Sequence, residues 1–161
     1  MKTEILAPCG SRESLVAAVR CGANAVYLGA EGFNARRNAD NFTDETLREG
    51  IEYAHQRGVK VYVTVNTLVG DAEMTAAYDL VRTALSFGAD AFIVQDLGLA
   101  KMIRECFPQA RLHASTQCSV NTPDGFAALK ERGFVRAVLP REMSLDEIRE
   151  IRRSTDMELE M

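Results

Sequence analysis

Four times along the chain a helical stretch stops at a glycine and a β-branched run begins: CGANAVYLG (21–29), RGVKVYVTVN (57–66), FGADAFIVQD (87–96) and RGFVRAVLPRE (132–142). Glycine supplies the left-handed helix stop, and the following residues switch from helical periodicity to extended apolar sequence. ARLHASTQ (110–117) makes the same transition with Pro108 as the stop, EILAPCG (4–10) opens the series, and MELEM (157–161) begins another turn of it. Helices are expected over 11–20, 43–57, 72–87, 97–107, 123–132 and 144–154. Pro123 sits at a first helical position, and Ser144-Leu-Asp-Glu147 is a full capping box, whereas Thr43-Asp-Glu-Thr46 is one only in part.

Strict alternation of seven strands with six helices requires a parallel sheet built by right-handed crossovers. A doubly wound sheet would place a glycine-rich phosphate loop after its first strand, but APCGSRES carries only Gly10. A complete barrel takes eight units and about 250 residues. The expected fold is therefore α/β, an incomplete TIM-like (β/α) barrel, all-parallel, of about six βα units plus a seventh strand. Residues 1–161 are expected to be the amino-terminal part of a barrel domain, and its open edge is expected to drive self-association.

The 161 residues are 47% hydrophobic and 26% charged with a formal net charge of −4, the makeup of a folded chain without a basic footprint for nucleic acid. No apolar run approaches the roughly 18 residues of a membrane span, so no membrane partner and a cytoplasmic location are expected. Cys9, Cys21, Cys106 and Cys118 form no C-x-x-C pair. They are expected to be small buried residues rather than ligands, with Cys9 and Cys118 the two to watch, and no metal site is expected among them.

In a barrel, chemistry collects at the carboxyl ends of the strands. Val59, Val61, Val63 and Val65 fall on one face of the third strand, and Lys60, Tyr62, Thr64 and Asn66 on the other, which is expected to line the lumen. By the same rule His113, Ser115 and Gln117 project together, opposite Leu112, Ala114 and Thr116. Further strand ends carry Gln95 with Asp96, Arg141 with Glu142, and Glu158 with Glu160. Singly, His113 reads equally as a satisfied interior histidine, and Arg141 with Glu142 as a rim ion pair; the convergence is what points to a cup. His55 lies on an amphipathic helix and reads as surface decoration. The loop 31–42 carries Arg36, Arg37, Asn38 and Asn41, and its paired arginines suit a carboxylate or phosphate, unless the loop tip is simply solvated. A triad of Ser115, His113 and Asp96 is a weak reading, because the first two are parallel neighbours on one extended strand without a nucleophile elbow.

The segments LAPCGSRESLVAAVRCGANAVYLG, GFNARRNADNF, VTVNTL, IVQDLG, LHASTQCS and VLPREMSLDEI together resemble, in order and spacing, the amino-terminal barrel of the collagenase-like peptidase family U32. That resemblance implies a (β/α)-barrel enzyme, first catalogued as a peptidase, whose members are linked to oxygen-independent hydroxylation of a transfer RNA uridine, a ribosomal RNA cytidine or a ubiquinone precursor. It further implies prephenate as hydroxyl donor in the RNA reactions and a four-iron four-sulfur (4Fe-4S) cluster in the full-length protein. None of the four cysteines here matches a cluster ligand, so no cofactor is expected in this chain, which alone is expected to be inactive. Arg36, Asn38 and Asn41 fall in the family's Arg-Asn loop, His113, Ser115 and Gln117 in its strand-five motif, and Arg141 and Glu142 in its Arg-Glu motif. Glu158 and Glu160 lead toward the cluster segment.

Three functions follow as expectations. The first is hydroxylation of an RNA base, with Arg36 and Arg141 binding a dicarboxylate donor and His113 or Glu142 moving protons. Peptide hydrolysis, with Ser115 as the candidate nucleophile, is the second, and a non-catalytic half-barrel scaffold the third. Arg37, Asn38, Asn41, Asn66, Gln117, Glu158 and Glu160 are the further substrate-binding candidates.

Overall fold

The computed structural model describes residues 3–35 and 41–161. Seven strands form one sheet in sequential order: β1 (Leu6–Cys9), β2 (Ala25–Gly29), β3 (Lys60–Val65), β4 (Ala91–Val94), β5 (Leu112–Ala114), β6 (Phe134–Val138) and β7 (Glu158–Glu160). Every neighbouring pair is parallel, and the sheet curls into the front of a barrel. Six helices connect them: α1 (Arg12–Arg20), α2 (Asp44–His55), α3 (Met74–Phe87), α4 (Leu97–Cys106), α5 (Pro123–Glu131) and α6 (Leu145–Ser154). The expected incomplete, all-parallel (β/α) barrel is the observed fold.

Local chemistry sets the boundaries. Gly22, Gly58, Gly88 and Gly133 adopt φ of 91°, 70°, 98° and 86°, so each of the four glycines marking a helix-to-strand switch is left-handed as required. At the other ends, Ser144 Oγ accepts from the Glu147 amide while the Glu147 carboxylate accepts from the Ser144 amide, completing the expected box. Ser11 and Ser14 form a second reciprocal pair, a version in which a serine does the work of the usual Glu or Gln. A short 3₁₀ turn, Asp71–Glu73, precedes α3, so that helix starts two residues later than its expected onset at 72.

The main core lies between sheet and helices. Val61, Val63 and Val65 are fully buried and face α2 and α3, which present Leu47, Ile51 and Ala54, and Ala77, Val81 and Ala84. Burying each valine contributes about 1.5–3 kcal/mol. The opposite face of the sheet encloses a second, smaller cluster of Ala25, Tyr62, Ala91 and Ile93, supported by Leu6 and Tyr27. The alternation read along the third strand thus sorts its side chains correctly between helix layer and lumen. His55 does more than decorate the surface: its Nε2 lies 2.8 Å from Asp90 Oδ2, and the same oxygen accepts from the Val61 amide at 2.7 Å. The pair ties the end of α2 to the entry of β3.

Candidate functional site

The carboxyl ends of the strands surround a cavity of about 250 Å³. Its polar wall includes Asn34, Asn41, Thr64, Asn66, Ser115 and Gln117, and β7 adds Glu160; Tyr27 and Ile93 supply apolar surface. Each group arrives by a different route. Thr64 is buried on β3 and donates to the Leu28 carbonyl at 3.1 Å. Asn66, one step beyond β3, accepts from the Ala35 amide at 3.1 Å and so anchors the long loop after β2. That loop leaves at Ala30 and returns at Phe42, which bridge in parallel, with Phe42 N–H donating to the Gly29 carbonyl at 2.9 Å.

Two residues that sequence reasoning missed, Gly29 and Asn34, fix the loop's inner side. Asn34 is buried and its Nδ2 donates to Asn41 Oδ1 at 2.8 Å. It lies so close to Gly29 that a Cβ there would overlap the Asn34 amide and sit 3.0 Å from Asn41 Oδ1. Gly29→Ala is therefore expected to expel Asn34 from the wall and destabilise the chain by about 1–3 kcal/mol, as overpacking does, measured by urea unfolding. Wild-type stability in that variant would contradict the placement.

The strand-five segment behaves differently from its extended reading. β5 ends at Ala114, because Ser115 caps a 3₁₀ turn, Thr116–Cys118, by accepting from the Gln117 amide at 3.2 Å. Alternation stops there, so Thr116 faces the cavity along with Ser115 and Gln117 instead of opposing them. Cys118 Sγ reaches the Val94 and Gln95 carbonyls at 3.5 and 3.6 Å, seating the turn on the end of β4. Burial pushes the thiols of Cys118 and Cys9 up to about 11, leaving both as thiols at neutral pH. Cys9 ends β1 at the cavity wall.

His113 lies one layer below the cup. It is 1% exposed and edge-on to Tyr62, with ring centroids 4.7 Å apart, and among the described residues neither ring nitrogen has a hydrogen-bond partner. It is interior but not satisfied. Burial first, then the nearby Arg136 charge, pulls its imidazolium down to about 3, so the ring is neutral. The triad reading fails on geometry: Asp96 caps α4 by accepting from the Leu99 amide at 2.8 Å, and Ser115 Oγ serves as a cap.

Beside His113 runs a charged network that the sequence did not suggest. Glu4 Oε1 accepts from Tyr62 Oη at 2.8 Å and from Arg136 Nη1 at 2.7 Å, and Arg136 Nη2 meets Glu158 Oε2 at 2.6 Å. Burial opposes ionisation of Glu4, but hydrogen bonds from Arg136 and Tyr62 outweigh it and bring the carboxyl down to about 2. Glu158 therefore belongs to the amino-terminal end of the sheet, where Arg111 also reaches it at 3.3 Å, and not to the cup. Glu160, two residues further along β7, does reach the cup.

Arg141 and Glu142 are exposed on the turn after β6 and do not line the cavity. β6 ends at Val138, and the buried Leu139 donates to the Glu160 carbonyl before Pro140 redirects the chain. Arg36, Arg37 and Asn38 lie outside the described residues. The iron–sulfur cluster that the resemblance implies does not fit the described residues. Cys21 and Cys106 sit exposed at the ends of α1 and α4, away from Cys9 and Cys118 at the strand ends, and no three His, Cys, Asp or Glu side chains gather there as metal ligands. Among the described residues no helix is long and apolar enough to cross a membrane.

A sequential parallel curl with a polar cup at its carboxyl rim defines a (β/α)-barrel protein, and the carboxyl rim is where chemistry collects in that architecture. Within that class the chain belongs to peptidase family U32, whose profile matches residues 10–161. It is 40% identical over 161 residues to the 23S rRNA 5-hydroxycytidine C2501 synthase of Escherichia coli, covering 99% of this chain and 24% of that protein. It is 38% identical over 159 residues to the tRNA hydroxylation protein P1 of Bacillus subtilis, covering 99% of this chain and 38% of that protein. Among solved structures, the U32 peptidase Mk0906 superposes with a TM-score of 0.82 at 17% identity, over 98% of this chain and 67% of that one, a likeness of fold. The chain thus spans between a quarter and two-fifths of the length of these two curated relatives.

Proposed function

We propose that this chain forms the ligand-binding front of a cytoplasmic U32 protein that hydroxylates a pyrimidine base in RNA without molecular oxygen, with prephenate as the hydroxyl donor. The observation that carries the reading is the 40% and 38% identity, over nearly the whole chain, to two proteins named for hydroxylation of ribosomal and transfer RNA. The cup supports it by what it offers: amides, hydroxyls and a carboxylate that hold and orient a polar ring. Arg141 on the rim supplies a fixed planar charge suited to the donor's carboxylate, with Arg36 and Arg37 as further candidates.

Peptide hydrolysis would need an activated nucleophile. Among the described residues Ser115 Oγ makes no hydrogen bond to a base: it accepts from the Gln117 amide, and the buried, neutral His113 bonds to nothing. The experiment that tests the proposal is mass spectrometry of RNA from a strain lacking the gene. Loss of a hydroxylated pyrimidine is expected; unchanged levels in both ribosomal and transfer RNA would end the assignment. The sheet order leaves β1 and β7 each paired on one side only, so we also expect this chain to self-associate through an open edge. A monodisperse monomer in light scattering would count against that.

A further inference from the structure

Glu160 is the anomaly of the cup. Among the described residues its Oε2 is buried without a hydrogen-bond partner, and the cation that faces it, Arg136 Nη1, stands 3.8 Å away and is already committed to Glu4 at 2.7 Å. A buried carboxylate oxygen without a donor is unfavourable unless something that enters the site supplies one. Burial holds this carboxyl above its ordinary range, with Arg136 opposing, as that deficit requires. The rest of the wall has the complementary character. Asn66 spends its Oδ1 on the Ala35 amide, which leaves its NH₂ group, and Ser115 spends Oγ only as an acceptor, which leaves its hydroxyl proton. Gln117 brings an exposed amide to the same cavity.

The size is also restrictive. A cavity of about 250 Å³ lies below the roughly 300–1,000 Å³ of pockets for larger organic ligands, which fits a single ring. Ile93 offers that ring apolar contact from the wall. Enzymes that act on a base draw it out of the stack into a close-fitting pocket and read its pairing edge by hydrogen bonds. Uracil and cytosine both carry an N–H donor and a carbonyl acceptor on that edge, adjacent in uracil (N3–H and O2 or O4) and separated by the N3 acceptor in cytosine (N4–H and O2). A dicarboxylate would instead bring like charge against Glu160.

Resting on the RNA-base reading above, we propose that the cup holds the target base itself, a pyrimidine turned out of the RNA. Glu160 accepts from its N–H edge, Asn66 or Gln117 donates to its carbonyl, and the carboxylate donor is held outside the cup.

The test is nuclear magnetic resonance titration of the isotope-labelled chain with uridine, cytidine and, separately, prephenate. The nucleosides are expected to shift the side-chain amide signals of Asn66 and Gln117. Glu160→Gln is expected to weaken nucleoside binding by about tenfold, the loss of one charge-assisted hydrogen bond, while melting at the wild-type temperature or above. Asn66→Ala should weaken it independently. Three results would overturn the proposal: no nucleoside-dependent shift in a chain that melts cooperatively, equal nucleoside affinity in Glu160→Gln, or prephenate moving the same amides and binding more tightly in Glu160→Gln. Failure of the reaction assignment looks different. Unchanged RNA in the deletion strain alongside Glu160-dependent nucleoside binding would remove the reaction and keep the pocket, and the converse pair of results would do the reverse.

Discussion

Arg136→Ala should destabilise this chain by about 3–5 kcal/mol, the largest effect expected of any single substitution in the lumen. The guanidinium is only 11% exposed and joins carboxylates from two other segments, Glu4 ahead of β1 and Glu158 on β7, while also lying 5.3 Å from the Tyr62 ring centroid. Burial works against its charge, but those carboxylates outweigh burial and raise its pKa further. Removing it leaves acidic groups facing one another in a partly dry interior. Arg136→Lys should recover only part of the loss, because an ammonium cannot reproduce the guanidinium's fork between Glu4 and Glu158. Urea unfolding at neutral pH measures both. A loss below about 1 kcal/mol for the alanine variant would mean that the network is no stronger than a surface pair.

The second large effect is on pH. His113 has an ordinary value of 6.5 and a folded value of about 3, so between those limits the unfolded chain binds a proton that the folded chain refuses. Stability from this group is complete above pH 6.5 and falls as the pH falls. From pH 6.5 to 4.5 the loss is about 2–3 kcal/mol at 1.36 kcal/mol per unit. Glu4, lowered from 4.5 to about 2, adds a loss of the same sign at lower pH. Glu160, raised by burial, acts in the opposite sense, since the folded chain takes up its proton more readily than the unfolded chain as the pH falls. His113→Leu should remove the first contribution and flatten the curve between pH 6.5 and 4.5. Parallel curves for wild type and variant would show that the ring is solvated or paired.

What could be read ahead of the structure was whatever local chemistry decides. Glycine and proline stops and a period-two valine run each depend on a few consecutive residues, and together they placed the seven strands and six α-helices to within a few residues, leaving the 3₁₀ turns Asp71–Glu73 and Thr116–Cys118 unread. Asn66, Ser115, Gln117 and Glu160 were legible as cup residues because each sits at or just past a strand end, where the barrel architecture fixes direction, and Asn41 was legible only as part of the long loop after β2. Depth was not legible. His113 and Glu158 lie below the cup because strand register, set by pairing with β4 and β6, decides height along the barrel. Arg141 and Glu142 were misplaced for a related reason: beyond Val138 the chain turns at Pro140, and alternation no longer says where a side chain points. The Glu4–Arg136 contact joins residues 132 apart in sequence, which no local pattern announces. Asn34 depends on the missing Cβ of Gly29, and the bare glycine at the end of an apolar run was the available signal.

On the proposed function, the rim of the sheet is where RNA chemistry is done. The most direct measurement is the hydroxylated-pyrimidine content of RNA from the deletion strain complemented with the full-length protein carrying Asn66→Ala and Gln117→Ala, or carrying His55→Ala on the outer helix layer. We predict background levels for the double variant at normal protein abundance, and full restoration by His55→Ala. Wild-type levels of modified base in the double variant would contradict the assignment of the cup.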